Sequence, residues 1–229
     1  MVSMKATTVL VERLRIDRHS ATQIAGCLLL MAGVIILMGI ITAEALYPAI
    51  YTTHENENSD LGATRPPNSI IFQPSATIFN TVMMVTGLMI LSSTFFLNRT
   101  FSTRWVAVSI TLLGLGVLGV GVFPGNRGAI HPLFALMAFF SGGFAAVLSA
   151  RVQETPFRYV SIALSVFTLV SLAVGLFGDA TPIFERLGDG GVERWVAYPT
   201  VLWMVGFGGY LMSLRNAPVL PDEVTVPEK

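Results

Sequence analysis

Charged side chains are scarce in this sequence. Only 12% of its 229 residues are Asp, Glu, Lys or Arg, against about a quarter in ordinary soluble domains. The 14 basic and 14 acidic residues cancel to a formal net charge of zero. The chain therefore has no basic stripe of the kind that neutralises phosphates, which argues against nucleic acid as a partner. Cysteine and histidine are scarcer still: Cys27 alone, with His19, His54 and His131. A single thiol makes no intrachain disulfide and no thiolate cluster. Set in an apolar run, Cys27 is expected to be a small buried hydrophobe. No metal ion and no cofactor is expected. The G-x-S-x-G elbow, the H-E-x-x-H pair and the Walker loop are all missing, so the recognised hydrolase and NTPase signatures are absent. Gly114-Leu-Gly116-Val-Leu-Gly119 has dinucleotide-loop spacing, but it lies inside an apolar run with no βαβ context. It reads instead as close helix packing through small residues.

What the chain has is apolar length. Mean hydropathy is +0.68 and 53% of residues are hydrophobic. Apolar runs cover about 24–45, 76–97, 105–123, 132–150, 158–178 and 195–213. At ~1.5 Å per residue each is near the length that crosses a ~30 Å hydrocarbon core. Backbone groups in lipid must be paired within the segment, so these runs are predicted as helices. Ser20 and Gln23 resemble a capping box opening the first. Ala43-Glu44-Ala45 and Ile24-Ala25-Gly26-Cys27 resemble processing sites. The first ends an apolar run too long for a signal peptide, and the second precedes its apolar run where a lipoprotein box would come after it. Both are read as chance.

The expected fold is all-α: a polytopic membrane bundle of six helices over residues 20–214, between a segment 1–19 and a Pro-rich tail 215–229. With the N-terminus inside, the inner segments hold Lys5, Arg13, Arg15, Arg18, Arg99, Arg104, Arg151, Arg158, Arg215 and Lys229. The outer segments then hold only Arg65, Arg127, Arg186 and Arg194. Ten against four supports an N-in, C-in orientation in the cytoplasmic membrane.

One long polar break interrupts the apolar pattern, from about Glu44 to Asn80, with an outer loop at 45–75. Loops of this length in compact domains are usually functional or disordered. Asp60 before Gly62 suits an Asx-type turn, and the fixed rings of Pro66-Pro67 stiffen the second half of the loop. Leu46, Ile50, Ile70, Ile71 and Phe72 are candidates to dip into the outer leaflet or cover the bundle mouth. In this topology Glu44, Asp60, Arg65, His131, Asp179, Glu193 and Arg194 share one side. A carboxylate at the membrane boundary, such as Glu44, is costly unless it meets water, a cavity or a partner. Asn80, a turn into helix two, needs a partner and is expected to face the bundle. His131, ahead of Pro132, reads as a capping or interfacial side chain before it reads as a base. Pro199 is expected to kink helix six. Trp105 and Tyr159 suit an inner aromatic belt. Tyr47, Trp195, Tyr198 and Trp203 suit an outer one, with Trp203 deep enough to be core.

Three elements together carry a resemblance: E-x-x-YPxxY…SDLG…N-SIIF in the first outer segment, GVFP…HP across helices three and four, and G-x-ERWxxYPxxxW (Gly191, Glu193, Arg194, Tyr198, Pro199, Trp203) before helix six. The chain resembles the prokaryotic six-helix membrane family filed as domain of unknown function 998, over about residues 20–213. That resemblance implies fold and topology and no chemistry. Ser59-Asp60-Leu61-Gly62 with Pro66-Pro67 behind it is also similar to the first luminal loop of DRAM/FRAG-type membrane proteins, which are tied to lipid organisation. Asn58 and Leu61 depart from that loop's pattern, and the lipid role it implies is an analogy of fold and loop.

The leading functional expectation is a site for a membrane lipid or other amphiphile at the outer face, built from Glu44, Asp60, Asn80, His131, Glu193 and Arg194. Arg194 would pair with a headgroup phosphate or with one of the carboxylates. One alternative is a membrane-embedded hydrolase or transferase with His131 as base and Glu44 or Asp60 as orienter or acid. Another is a structural subunit whose outer loop docks a membrane-protein partner or a second copy of the chain.

Overall fold

A computed structural model describes residues 17–99, 104–177 and 182–214. Asp179, most of segment 1–19 and the tail 215–229 lie outside the described residues. Six α-helices form among the described residues: α1 (Arg18–Ala45), α2 (Ser75–Leu97), α3 (Arg104–Val122), α4 (Ile130–Ser149), α5 (Phe157–Phe177) and α6 (Pro182–Ser213). The start of α1 differs from the capping-box expectation. Asp17 is the N-cap and its carboxylate accepts the Ser20 N–H at 2.6 Å, because a short acidic side chain satisfies a free N–H of the first turn.

Consecutive helices pack side by side and α6 returns to pack on α1. The interior is built for close backbone approach. A Cβ on Gly26 would lie 2.6 Å from the Gly208 carbonyl oxygen where α1 crosses α6, and one on Gly116 would lie 2.5 Å from the Ala138 nitrogen between α3 and α4. Ala21, Ala25, Ala32, Ala43 and Ala145 have no exposed surface. Small residues let helices gain dispersion contact where no hydrophobic effect drives them together. Large apolar side chains such as Met38, Leu88, Phe95, Phe144 and Phe167 point outward instead. Cys27 is exposed on α1, not buried as expected, because in this inside-out arrangement an apolar side chain can face lipid as readily as core.

Five helices, α1 to α5 (the fourth counted through Val152), are long and apolar enough to cross a membrane. Helix α6 differs. Its first part carries Glu185, Arg186, Asp189, Glu193 and Arg194, and it is helical where a linker over 179–194 was expected. The helix is broken at Gly188 (φ 66°, ψ 175°), not at Pro199, which lies inside it. A Cβ at Gly188 would overlap the His54 carbonyl oxygen, and positive φ disfavours any other residue there.

Trp203 is fully buried and its Nε1–H donates to Ser149 Oγ at 3.0 Å, which also accepts from Gln153 Nε2 at 3.0 Å. This ties the α4–α5 turn to α6 at the end of the bundle opposite the polar segment. Trp105 and Tyr159 are 67% and 65% exposed, as side chains of an interfacial belt would be.

Candidate functional site

The segment 46–74 covers one end of the bundle and is held down at three levels. The first is a clasp on Arg194, whose residue is 9% exposed. Its Nη2 donates to Glu44 Oε1 at 2.5 Å and to the Tyr51 hydroxyl at 2.9 Å. Its Nη1 donates to the carbonyls of Asn56 at 2.8 Å, Gly190 at 2.9 Å and Thr53 at 3.3 Å. Only Nε lacks a partner. One guanidinium thus joins α1, the polar segment and α6, using the forked donor geometry that distinguishes Arg from Lys. The Gly190 N–H donates to the His54 carbonyl at 3.0 Å, and the Tyr51 hydroxyl donates to the Glu57 carbonyl at 2.9 Å. Burial raises the pKa of the Tyr51 phenol, so it stays a neutral donor.

The second level is a short 3₁₀ helix, Asn58–Leu61, and not an Asx turn. Asp60 Oδ2 accepts the Glu57 N–H at 3.1 Å and an Asn56 amide hydrogen at 3.5 Å. Glu193 Oε2 accepts the Asn58 N–H, and the Tyr198 hydroxyl donates to Asn58 Oδ1 at 3.3 Å.

The third level is apolar. Leu61 is fully buried and packs in the core, and its carbonyl accepts the Ser75 hydroxyl at 3.1 Å. Leu61 is therefore the plug, whereas Leu46, Ile50, Ile70 and Ile71, candidates to dip into the outer leaflet or cover the mouth, are 47–91% exposed and do not cover it. Asn80 Nδ2 donates to the Gly62 carbonyl at 3.5 Å, so Asn80 meets the loop.

Beneath the 3₁₀ helix lies a cavity of about 80 Å³ with apolar walls that include Ile36, Phe79, Leu113, Val117 and Met204, and with Asn58, His131 and Glu193 at its loop end. Beside it a cleft of about 370 Å³ runs between α4 and α5 against α6. Glu57, Arg65, Asp189 and Glu193 line its polar part, and Leu136, Leu172, Leu176 and Val196 its apolar part. Ser59, His131, Ala135, Phe139 and Glu193 line both spaces. His131 is 3% exposed, and its Nδ1 lies 2.7 Å from the Phe123 carbonyl. A carbonyl only accepts, so Nδ1 carries the hydrogen and a neutral ring presents Nε2 as an acceptor.

Electrostatics at this end are dominated by burial. It raises the carboxyl of Glu57, partly offset by Arg65, whose Nη2 lies 2.6 Å from both carboxylate oxygens. It raises Asp60 as well. Glu193, just ahead of the apolar run 195–213, is raised by burial first and by the neighbouring Glu57 second. Among the described residues, no group of three His, Cys, Asp or Glu side chains is placed to hold a metal ion.

Of the six residues singled out from sequence, His131 and Glu193 meet at the cavity. Glu44 and Arg194 form the clasp, Asp60 braces the 3₁₀ helix and Asn80 receives it; none of these four lines either space. Sequence reasoning gave no site role to Glu57, Asp189, Tyr51 or Asn58. Tyr51 stood inside the YPxxY element, the one signal that could have found it.

A model of the family described as "Protein of unknown function (DUF998)" matches residues 30–210, a span that includes the whole polar segment, His131 and the Glu193-Arg194 pair. No curated protein and no solved structure matches the chain. The likeness to DRAM/FRAG-type proteins has no counterpart among these matches.

Proposed function

The chain belongs to the DUF998 family of proteins of unknown function, and from that premise we propose that it holds a lipid or similar amphiphile beneath its polar segment, at the outer face of the cytoplasmic membrane. All six helices cross in this reading, with both termini inside. The ten-to-four Lys/Arg asymmetry supports the orientation, and the fit of α6 between α1 and α5 supports the sixth crossing. The observation that carries the binding reading is the pair of adjoining spaces, polar at the loop end and apolar below, with exposed Pro132, Gly175 and Leu176 along the lateral rim of the larger one. Amphiphile sites need this division: apolar walls take the chain and a few fixed polar groups orient the head.

Native mass spectrometry of the full chain, released from a neutral detergent, tests the reading. A retained adduct of lipid mass is expected, and Ala135→Phe, which fills the junction of the two spaces, removes it without loss of helical circular dichroism. A bare wild-type chain, or an adduct indifferent to Ala135→Phe, sinks the proposal. Ile50, 91% exposed, reports orientation: in a Cys27→Ser background, Ile50→Cys reacts with an impermeant maleimide added outside intact cells. Reaction only after the cells are opened contradicts the N-in topology.

A further inference from the structure

We infer that the amphiphile held here carries a protonated amine in its head group. The inference rests on the amphiphile reading above and adds the chemistry of the head.

One amide donor at the mouth, Asn58 Nδ2, has no partner among the described residues, and the ionisable groups left free there are acceptors. Arg194, the obvious anion ligand in the sequence, is spent on Glu44, Tyr51 and three backbone carbonyls. The cleft is lined by three carboxylates, Glu57, Asp189 and Glu193, against one guanidinium, Arg65. That guanidinium already engages both oxygens of Glu57. The remaining oxygen of Glu193 has no hydrogen-bond partner among the described residues, since only Oε2 is engaged, by Asn58. His131, almost wholly buried, turns its Nδ1–H to Phe123 and lines both spaces, so Nε2 is left as a lone-pair acceptor with no described partner. Two acceptors facing one cavity call for a donor from the ligand. A carboxyl taken out of water without a counter-charge is costly, and an ammonium supplies both the hydrogen atoms and the charge. A head bearing phosphate alone would meet three carboxylates and a guanidinium already in use.

The full chain in maltoside detergent is melted with dodecylamine, dodecyl phosphate or dodecanol, each below its own micellar concentration. Dodecylamine is expected to raise the melting temperature more than the other two. Glu193→Gln should weaken its apparent affinity about tenfold, roughly the loss of one charge-assisted contact, and His131→Gln should weaken it less. Amine affinity should also rise with pH as Glu193 ionises in the presence of Glu57, Asp60, Asp189, Arg65, Arg194 and His131. Equal stabilisation by all three compounds, or by dodecyl phosphate above dodecylamine, overturns the amine and leaves the amphiphile reading standing. Stabilisation by none overturns both. If Glu193→Gln does not yield folded protein, the wild-type series alone decides.

Discussion

Glu193 and Arg194 are adjacent in the chain and meet different fates. A turn of about 100° per residue around α6 separates their side chains. Arg194 points into the polar segment, where both of its Nη groups are committed. Glu193 points toward the cavity, where one oxygen takes Asn58 and the other has no described partner. A buried charge that is fully paired is structure, because removing its partner leaves an orphan in low dielectric. A partly buried carboxyl that is half-paired beside a cavity costs stability unless something fills the site, and perturbed groups of this kind cluster at functional sites. In the proposed amphiphile reading, the pair therefore separates scaffold from site within two residues.

The comparison breaks most visibly at the clasp. Arg194→Ala strips Glu44, Tyr51 and three carbonyls of their donor at once. The loss should be about 3–5 kcal/mol, the range for removing one partner of a buried ion pair, and appears as a large drop in melting temperature. Arg194→Lys should not restore it, since an ammonium cannot span the same fork. A melt like wild type for either variant would show that the clasp holds nothing.

Leu61→Ala comes next. Removing a fully buried leucine costs about 2–5 kcal/mol with its cavity term, and protease nicking within 46–74 should accelerate as the plug loosens. Unchanged proteolysis would mean that the segment is held without its plug.

The smallest effect is a pH dependence. Burial raises the carboxyls of Glu57 and Asp60 above their ordinary values of 4.5 and 3.8. The folded chain therefore keeps protons that the unfolded chain releases, so stability is greatest below the ordinary values and falls as pH rises through the raised ones. Arg65 offsets part of this at Glu57. A melting temperature that climbs across the same interval would contradict the burial of these carboxyls.

Much of the fold was legible because the bilayer imposes a simple rule: an apolar run of about twenty residues becomes a helix. The reading of α1 to α5 rests on that rule. It failed for the first half of α6, where Glu185, Arg186 and Asp189 look like a linker although their backbone is helical. Composition says nothing of backbone geometry at a helix end, and the close approach of Gly188 to the distant His54 carbonyl is a tertiary contact. Cys27 faced outward because polarity does not separate core from lipid-facing positions. At the site, Glu193, Arg194 and His131 stood out as polar groups beside apolar runs. Their division into clasp and cavity was not legible, since it arises from a rotation about α6 and from tertiary partners as remote as Glu44 and Asn58.

The most direct measurement is a paired melt of Glu193→Gln and Arg194→Gln, each with and without dodecylamine. Glu193→Gln should melt near wild type and show a much smaller ligand-induced shift at the same dodecylamine concentration. Arg194→Gln should melt far lower, yet any folded protein it yields should still shift with ligand. The reverse pattern, with Glu193→Gln unstable and Arg194→Gln stable but blind to the amine, would contradict the separation of scaffold from site.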